Sequence, residues 1–310
     1  ADSWRWMLGV QAVPAGLYFL LLTLVPESPR WLLSKGREES ALAALSAVQG
    51  AAAAHRELEI IQANFVKQQS RHFGIRMLLT GRLRRVMIFG LGIAFFQQAA
   101  GINAIFYYLP TIFASSGGEL STAFAQSVLV GLVNVGMTFV AIWLIDRLGR
   151  KPLLGIGLTG MTLSLLTICW AFHATHTSLG AGSSVSHENL VLTAIITYVA
   201  SFAISLGPVM WVLLSEIFPN EERASAISIV GFWNSLVSAS VTMLFPTELA
   251  AWGPAGTFLA YGLLAAAGLV FIVMLAPETK GKTLEELEGI LTQPKQALGS
   301  RAGVSMPENG

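Results

Sequence analysis

The sequence predicts an all-α membrane protein with about seven spanning helices, and three observations carry that expectation. It is 54% hydrophobic and only 12% charged over 310 residues, with a mean hydropathy of +0.62, whereas a soluble domain carries roughly a quarter charged residues. Seven stretches are free of Asp, Glu, Lys and Arg, at about 6–25, 86–114, 123–145, 153–175, 190–214, 224–246 and 255–276. Each is long enough for a hydrocarbon core of about 30 Å, which takes roughly 20 helical residues. The cations are also sorted: 18 of the 19 Lys and Arg fall in 26–85, in 146–152, at Arg223 or in the tail beyond Pro277, leaving Arg5 alone. This composition excludes a soluble enzyme, because none of the seven runs has the polar face a soluble bundle requires. One cysteine, Cys169, and five scattered histidines exclude a disulfide framework and any CxxC zinc or haem motif. No cofactor and no metal site is therefore expected. A net charge of +1 offers no field for nucleic acid.

The first span, 6–25, opens almost at the start of the chain with neither an initiator Met nor a signal-peptide cleavage site. The loops around 115–122, 176–189 and 247–254 contain no Lys or Arg, so the basic face is expected to be cytoplasmic, with the C-terminal tail on that side. The first span then runs inward. That orientation, without a signal, places the start of the chain inside a longer protein, a fragment with earlier spans missing.

Residues 26–85 form the first cytoplasmic segment, a helical linker. Ser28 before Pro29 reads as an N-cap with proline at the first helical position, and that helix stops at Gly36. A second helix is expected over 37–48 with Leu42, Leu45 and Val48 as its apolar stripe, and a third over 55–69 with Leu58, Ile61 and Phe65. The run 50–54 is uninformative. Residues 86–276 make a six-helix half, and 277–310 a tail in which Thr283 to Glu286 fits a capping box for a short helix to about Leu291.

With no charge in the spans, chemistry must come from amides and aromatics. The richest run is 86–114, with Gln97, Gln98, Asn103, Tyr107 and Tyr108. A lone amide in a membrane helix is usually packing glue between helices. At about 100° per residue a straight helix would spread Gln97, Gln98 and Asn103 around its axis. A break at Gly101 turns them toward one cavity, as in discontinuous transporter helices. Asn134 and Asn234 repeat the theme as single amides. In the fifth span Gly207-Pro208 offers a swivel, and Trp211 a flat apolar plate one turn on. Amides both donate and accept, so they match hydroxyls in either role, and an aromatic face suits the C–H face of a pyranose. A charged substrate would call for charged partners, and the spans hold none.

These residues resemble the sugar porters of the major facilitator superfamily, which include facilitative glucose transporters and bacterial sugar–proton symporters. The matching stretches are Pro26-Glu27-Ser28-Pro29-Arg30-Trp31-Leu32, Gln97 to Asn103 running on to Tyr107-Tyr108, and Asp146-Arg147-Leu148-Gly149-Arg150-Lys151. Gly207-Pro208 with Trp211, Ser215-Glu216 and Arg223, then Pro277-Glu278-Thr279-Lys280-Gly281, complete the series in family order.

The resemblance implies helices six to twelve of twelve. Residues 1–25 become the last helix of the N-terminal half, 26–85 the intracellular linker, 86–276 the C-terminal half and 277–310 the tail. It implies that Gln97, Gln98, Asn103, Asn134 and Asn234 hydrogen-bond sugar hydroxyls with Trp211 under the ring, and that Tyr107 and Tyr108 belong to the extracellular gate. It also implies that Glu27, Arg30, Asp146, Arg150, Lys151, Glu216 and Arg223 form cytoplasmic salt bridges. Two positions depart from the pattern. Ala203 stands where many members carry Glu, and Ser235 where many carry an aromatic, with Trp233 on the other side of Asn234.

The expected function is transport of a neutral hexose or pentose across the cell membrane by alternating access, with or without a co-transported proton. The partners are a small sugar and the lipid bilayer. A polyol or inositol porter and a non-transporting sugar sensor remain the alternatives.

Overall fold

The structure is a computed structural model and describes residues 9–69, 83–115, 120–177, 184–219, 222–277 and 279. Every regular element among them is an α-helix. The chain divides into two compact units, Ala1–Phe73 and Gly74–Gly310.

In the first unit, α1 (Ala12–Leu22) is apolar on all sides, and none of its residues is buried. A helix with no polar face needs lipid or another helix around it. Its 11 residues are about 16 Å of rise, and the rest of the expected first span lies partly outside the described residues. α2 (Pro29–Ser34) starts where the sequence predicts, but Ser28 makes no side-chain capping bond. Pro29 at the first helical position and the Ser28 carbonyl, which accepts from Leu32 N at 2.9 Å, set the start instead.

α3 (Glu38–Gln49) and α4 (Ala51–Gln69) follow. Leu32, Ala41, Leu45, Ala54, Leu58 and Ile61 form the core of this unit. The expected stripe on α3 needs correction. Leu45 is buried, but Val48 is 78% exposed and fully buried Ala41 takes its place. The shared face is centred on small Ala41 and Ala54, which let the backbones approach. α4 also begins earlier than expected, because the alanine run has the highest helix propensity and supplies a core residue. The Phe65 side chain lies outside the described residues.

Among the described residues of the second unit five helical stretches are long and apolar enough to cross a membrane: Leu83–Ser115, Thr122–Leu148, Arg150–Ala174, Glu188–Ile217 and Arg223–Leu275. The last, α11 (Arg223–Leu275), has 53 residues and would be about 80 Å long if straight. Gly253, at φ 67°, breaks it, and the chain turns back on itself. The Tyr261 hydroxyl donates to Glu248 Oε2 at 2.8 Å although the two are 13 residues apart, a separation of about 20 Å along one straight helix. α11 is therefore a hairpin that contains two of the expected spans.

Two other spans are broken. α5 (Leu83–Ala99) and α6 (Ile102–Ser115) meet at Gly101, φ +85°. α9 (Ser184–Ile204) and α10 (Leu206–Ile217) meet at Ser205, φ −127° and ψ −99°. The second break falls at Ser205 and not at the expected Gly207-Pro208. Pro208 sits instead in the first turn of α10, where an N–H has no intrahelical partner to lose.

α7 (Leu120–Leu148) and α8 (Arg150–Thr177) complete the unit. The core runs through Phe113, Leu153, Leu154, Tyr198, Phe218, Phe245 and Phe258, all fully buried. Large apolar side chains on α7 such as Leu132, Phe139 and Trp143 face outward, the arrangement a lipid environment rewards. The tail helix expected near 283–291 lies outside the described residues.

Candidate functional site

The break at Gly101 does what a straight helix could not. Gln97 and Gln98 end α5, Asn103 opens α6, and the Asn103 amide nitrogen donates to Gln98 Oε1 at 3.0 Å. Asn234, from the first limb of α11, joins them. Its Nδ2 donates to Gln97 Oε1 at 2.7 Å and to the Ala94 carbonyl at 3.2 Å, and its Oδ1 accepts from Gln98 Nε2 at 3.1 Å. Ser238, one turn beyond Asn234, accepts from Asn103 Nδ2 at 2.6 Å. Gln97 Nε2 donates to the Leu206 carbonyl at 2.8 Å, which lies at the other helix break. One amide cluster thus ties together α5, α6, α10 and α11. Gln97, Gln98 and Asn234 are buried and Asn103 half-buried.

The bonds within the cluster leave a defined remainder. Both hydrogens of Gln98, Asn103 and Asn234 are used, while Asn103 Oδ1 and one lone pair each on Gln98 Oε1 and Asn234 Oδ1 are not engaged by these bonds. One hydrogen of Gln97 and the Ser238 hydroxyl proton complete the set. The cluster offers mostly acceptors, uncharged and fixed in position. It would receive hydroxyl donors.

The other expected residues divide. Trp211 on α10 is 41% exposed, and its ring edge lies 3.9 Å from where a Cβ on Gly231 would stand. Gly231 is one turn before Asn234, so the indole plate flanks the amide cluster. Asn134, half-buried on α7, is not joined to the cluster by any hydrogen bond among the described residues; its backbone carbonyl accepts from Thr138. Tyr108 stacks on Phe245 with ring centroids 5.0 Å apart, whereas Tyr107 is 74% exposed and points away.

A second polar site gathers at one end of the unit. Arg150, at the start of α8, holds Glu216 through Nη2 at 2.6 Å and Nε at 3.1 and 3.2 Å, and Asp146 through Nη1 at 3.2 Å. Its side chain is only 12% exposed, and Thr279 Oγ1 donates to Glu216 Oε2 at 2.6 Å. Charge-assisted contacts of this fork geometry are the strong ones. Arg223 Nε donates to the Phe218 carbonyl at 3.2 Å, and Lys151 is half-buried beside Arg150. Glu27 and Arg30 belong to the first unit, where both are exposed.

Ser238 and Thr279 were missed by sequence reasoning. Ser238 had a signal, since it lies four residues after Asn234 on the same helix face. Thr279 had none beyond its place in the matching tail stretch.

A helical bundle with broken apolar spans meeting at an uncharged amide cluster is an architecture of the major facilitator fold. The chain belongs to the sugar (and other) transporter family, whose model matches residues 1–291. It is 37% identical over 295 residues to the D-xylose-proton symporter of Escherichia coli (strain K12), covering 93% of this chain and 57% of that one. It is 38% identical over 286 residues to the major myo-inositol transporter IolT of Bacillus subtilis, with 92% and 59% coverage. Among solved structures it is similar to the proton:xylose symporter XylE bound to 6-bromo-6-deoxy-D-glucose, with a TM-score of 0.75 and 35% identity over 94% of this chain and 59% of that one. The chain thus spans a little under three fifths of the length of these relatives. The family is one of transporters and not of enzymes.

Proposed function

We propose that this chain forms the C-terminal part of a transporter that moves a neutral monosaccharide, a hexose or pentose, across the cell membrane by alternating access. The observation that carries this reading is the amide cluster of Gln97, Gln98, Asn103 and Asn234 with Ser238. It is rich in acceptors, lies at two helix breaks and is flanked by Trp211. In this reading sugar hydroxyls donate to Asn103 Oδ1, Gln98 Oε1 and Asn234 Oδ1, and the pyranose lies on Trp211. Asn134 contributes from α7, on the wall the cluster does not reach. Tyr107 and Tyr108 on α6 serve the outer gate.

The basic end is cytoplasmic on the positive-inside rule. There Arg150, Glu216 and Asp146, with Lys151, Arg223, Glu27 and Arg30, act as a lock. Pairs of this kind that gain energy only when the cytoplasmic ends of the two halves meet bias the outward-facing state. The relatives include proton symporters for xylose and arabinose, which makes a co-transported proton one mode and facilitation the other.

A polyol is the second reading, favoured by the similarity to the myo-inositol transporter, because a cyclitol presents the same hydroxyl donors. Uptake of labelled sugars and myo-inositol by the complete protein in proteoliposomes separates them. Saturable hexose or pentose uptake is expected, and saturable inositol uptake that glucose and xylose do not compete would overturn the monosaccharide assignment.

A further inference from the structure

The hairpin α11 contains one charged residue between Ala224 and Ala276, Glu248. It is half-buried just before the Gly253 turn and accepts the Tyr261 hydroxyl at 2.8 Å from the opposite limb. The Tyr261 ring, itself buried, lies against the break between α5 and α6: a Cβ on Gly101 would stand 2.6 Å from two of its carbons. The Tyr198 hydroxyl holds the Ala100 carbonyl beside the same break, at 2.8 Å.

Phe245, one turn before Glu248 and fully buried, stacks on Tyr261 at 6.2 Å and on Tyr108 at 5.0 Å. Tyr108 is seven residues beyond Gly101, about 10 Å up α6. α6 is therefore held at its base by Tyr261 and two turns higher by Phe245, one from each limb of the hairpin, and the bond from Tyr261 to Glu248 ties those limbs together. A swing of α6 that turns the Gly101 break toward Tyr261 pushes on its ring. That ring cannot step back while its hydroxyl is bound to Glu248.

We propose that Glu248 is a positioning residue for the gate helix: its carboxylate fixes Tyr261 against the Gly101 break and so sets how readily α6 swings. The proposal deepens the reading of α6 as the gate of a sugar transporter and rests on it for its consequence in transport.

The test is amide hydrogen exchange of the complete protein in lipid nanodiscs, followed over residues 101–108 and, as a reference, over 150–174. Glu248→Ala and Tyr261→Phe each remove a hydrogen bond to a charged acceptor, so opening of 101–108 should quicken about ten-fold with 150–174 unchanged. Glu248→Gln retains an acceptor and should stay near the unmodified protein. Unchanged exchange at 101–108 in both loss variants would overturn the latch. Equal acceleration in both segments would do so too, by showing general loosening. Glu248→Gln behaving like Glu248→Ala would also overturn it. Sugar influx is measured on the same variants, and a change of KM on one face of the membrane alone is expected. If exchange changes as described but no sugar moves, the transport reading fails and the latch stands; sugar uptake with unaltered exchange has the opposite meaning.

Discussion

Replacing Gly101 by alanine tests whether the helix break that gathers the amides is fixed by local geometry. Two costs add. An L residue at φ +85° sits in the left-handed region at a cost of about 1–2 kcal/mol. The new methyl would also stand 2.6 Å from Cδ2 and Cε2 of Tyr261, about 1 Å inside the favourable carbon–carbon separation. The ring is hydrogen-bonded to Glu248 and stacked on Phe245, so it yields poorly, and overpacking of this kind costs about 1–3 kcal/mol. The sum is about 2–5 kcal/mol, a large part of the roughly 5–15 kcal/mol that stabilises a folded protein.

The assay is unfolding of the complete protein in mixed micelles, with the double variant Gly101→Ala, Tyr261→Ala measured beside each single. Removing the ring should return the steric part of the Gly101→Ala cost and leave only the backbone part, so the two effects are strongly non-additive. A Gly101→Ala protein within about 0.5 kcal/mol of the parent, a change ordinary for a neutral surface substitution, would refute the reasoning. Strict additivity in the double variant would refute the steric half alone.

Further outcomes follow from the two polar sites. Asn103→Ala and Ser238→Ala should each weaken monosaccharide binding, Asn103 by more because its Oδ1 is the cluster's largest unused acceptor; calorimetric titration of the complete protein checks the order. Trp211→Ala should cost about 1 kcal/mol of pyranose binding, the scale of an aromatic contact, read as a rise of about five-fold in Kd. Glu216→Gln takes from Arg150 the carboxylate that holds it at 2.6 Å, while the contact to exposed Asp146 stays. Cysteine accessibility from the cytoplasmic side should then rise as the lock weakens, with Glu216→Asp intermediate; an unchanged labelling pattern would remove the pair from the lock.

Much of the fold was legible because bilayer crossing imposes a coarse rule: about 20 residues without charge. Even the hairpin was readable, since the polar gap at 247–254 separated two runs that the backbone joins into one long helix bent at Gly253. The Gly101 break was legible for a sharper reason. Three amides at incompatible angles demanded an interruption, and a glycine stood between them. Ser205 carried no such mark, and Gly207-Pro208 drew attention to the wrong peptide. The partners of the cluster were less accessible still. Gln98 meets Asn234 across 136 residues, and the Leu206 and Ala94 carbonyls are backbone atoms that no side-chain motif announces. On α3 the helical period was right but the face was misjudged, because small Ala41 outranks larger Val48 where backbones pack closely.

The most direct test of the central claim is uptake of labelled hexoses and pentoses by the complete protein in proteoliposomes, with Asn103→Ala in parallel. Saturable uptake of at least one neutral monosaccharide, with KM raised several-fold in the variant, is the predicted result. Absence of any neutral-sugar uptake, or saturable uptake that the variant leaves untouched, would contradict the assignment of the amide cluster as the site that carries the sugar.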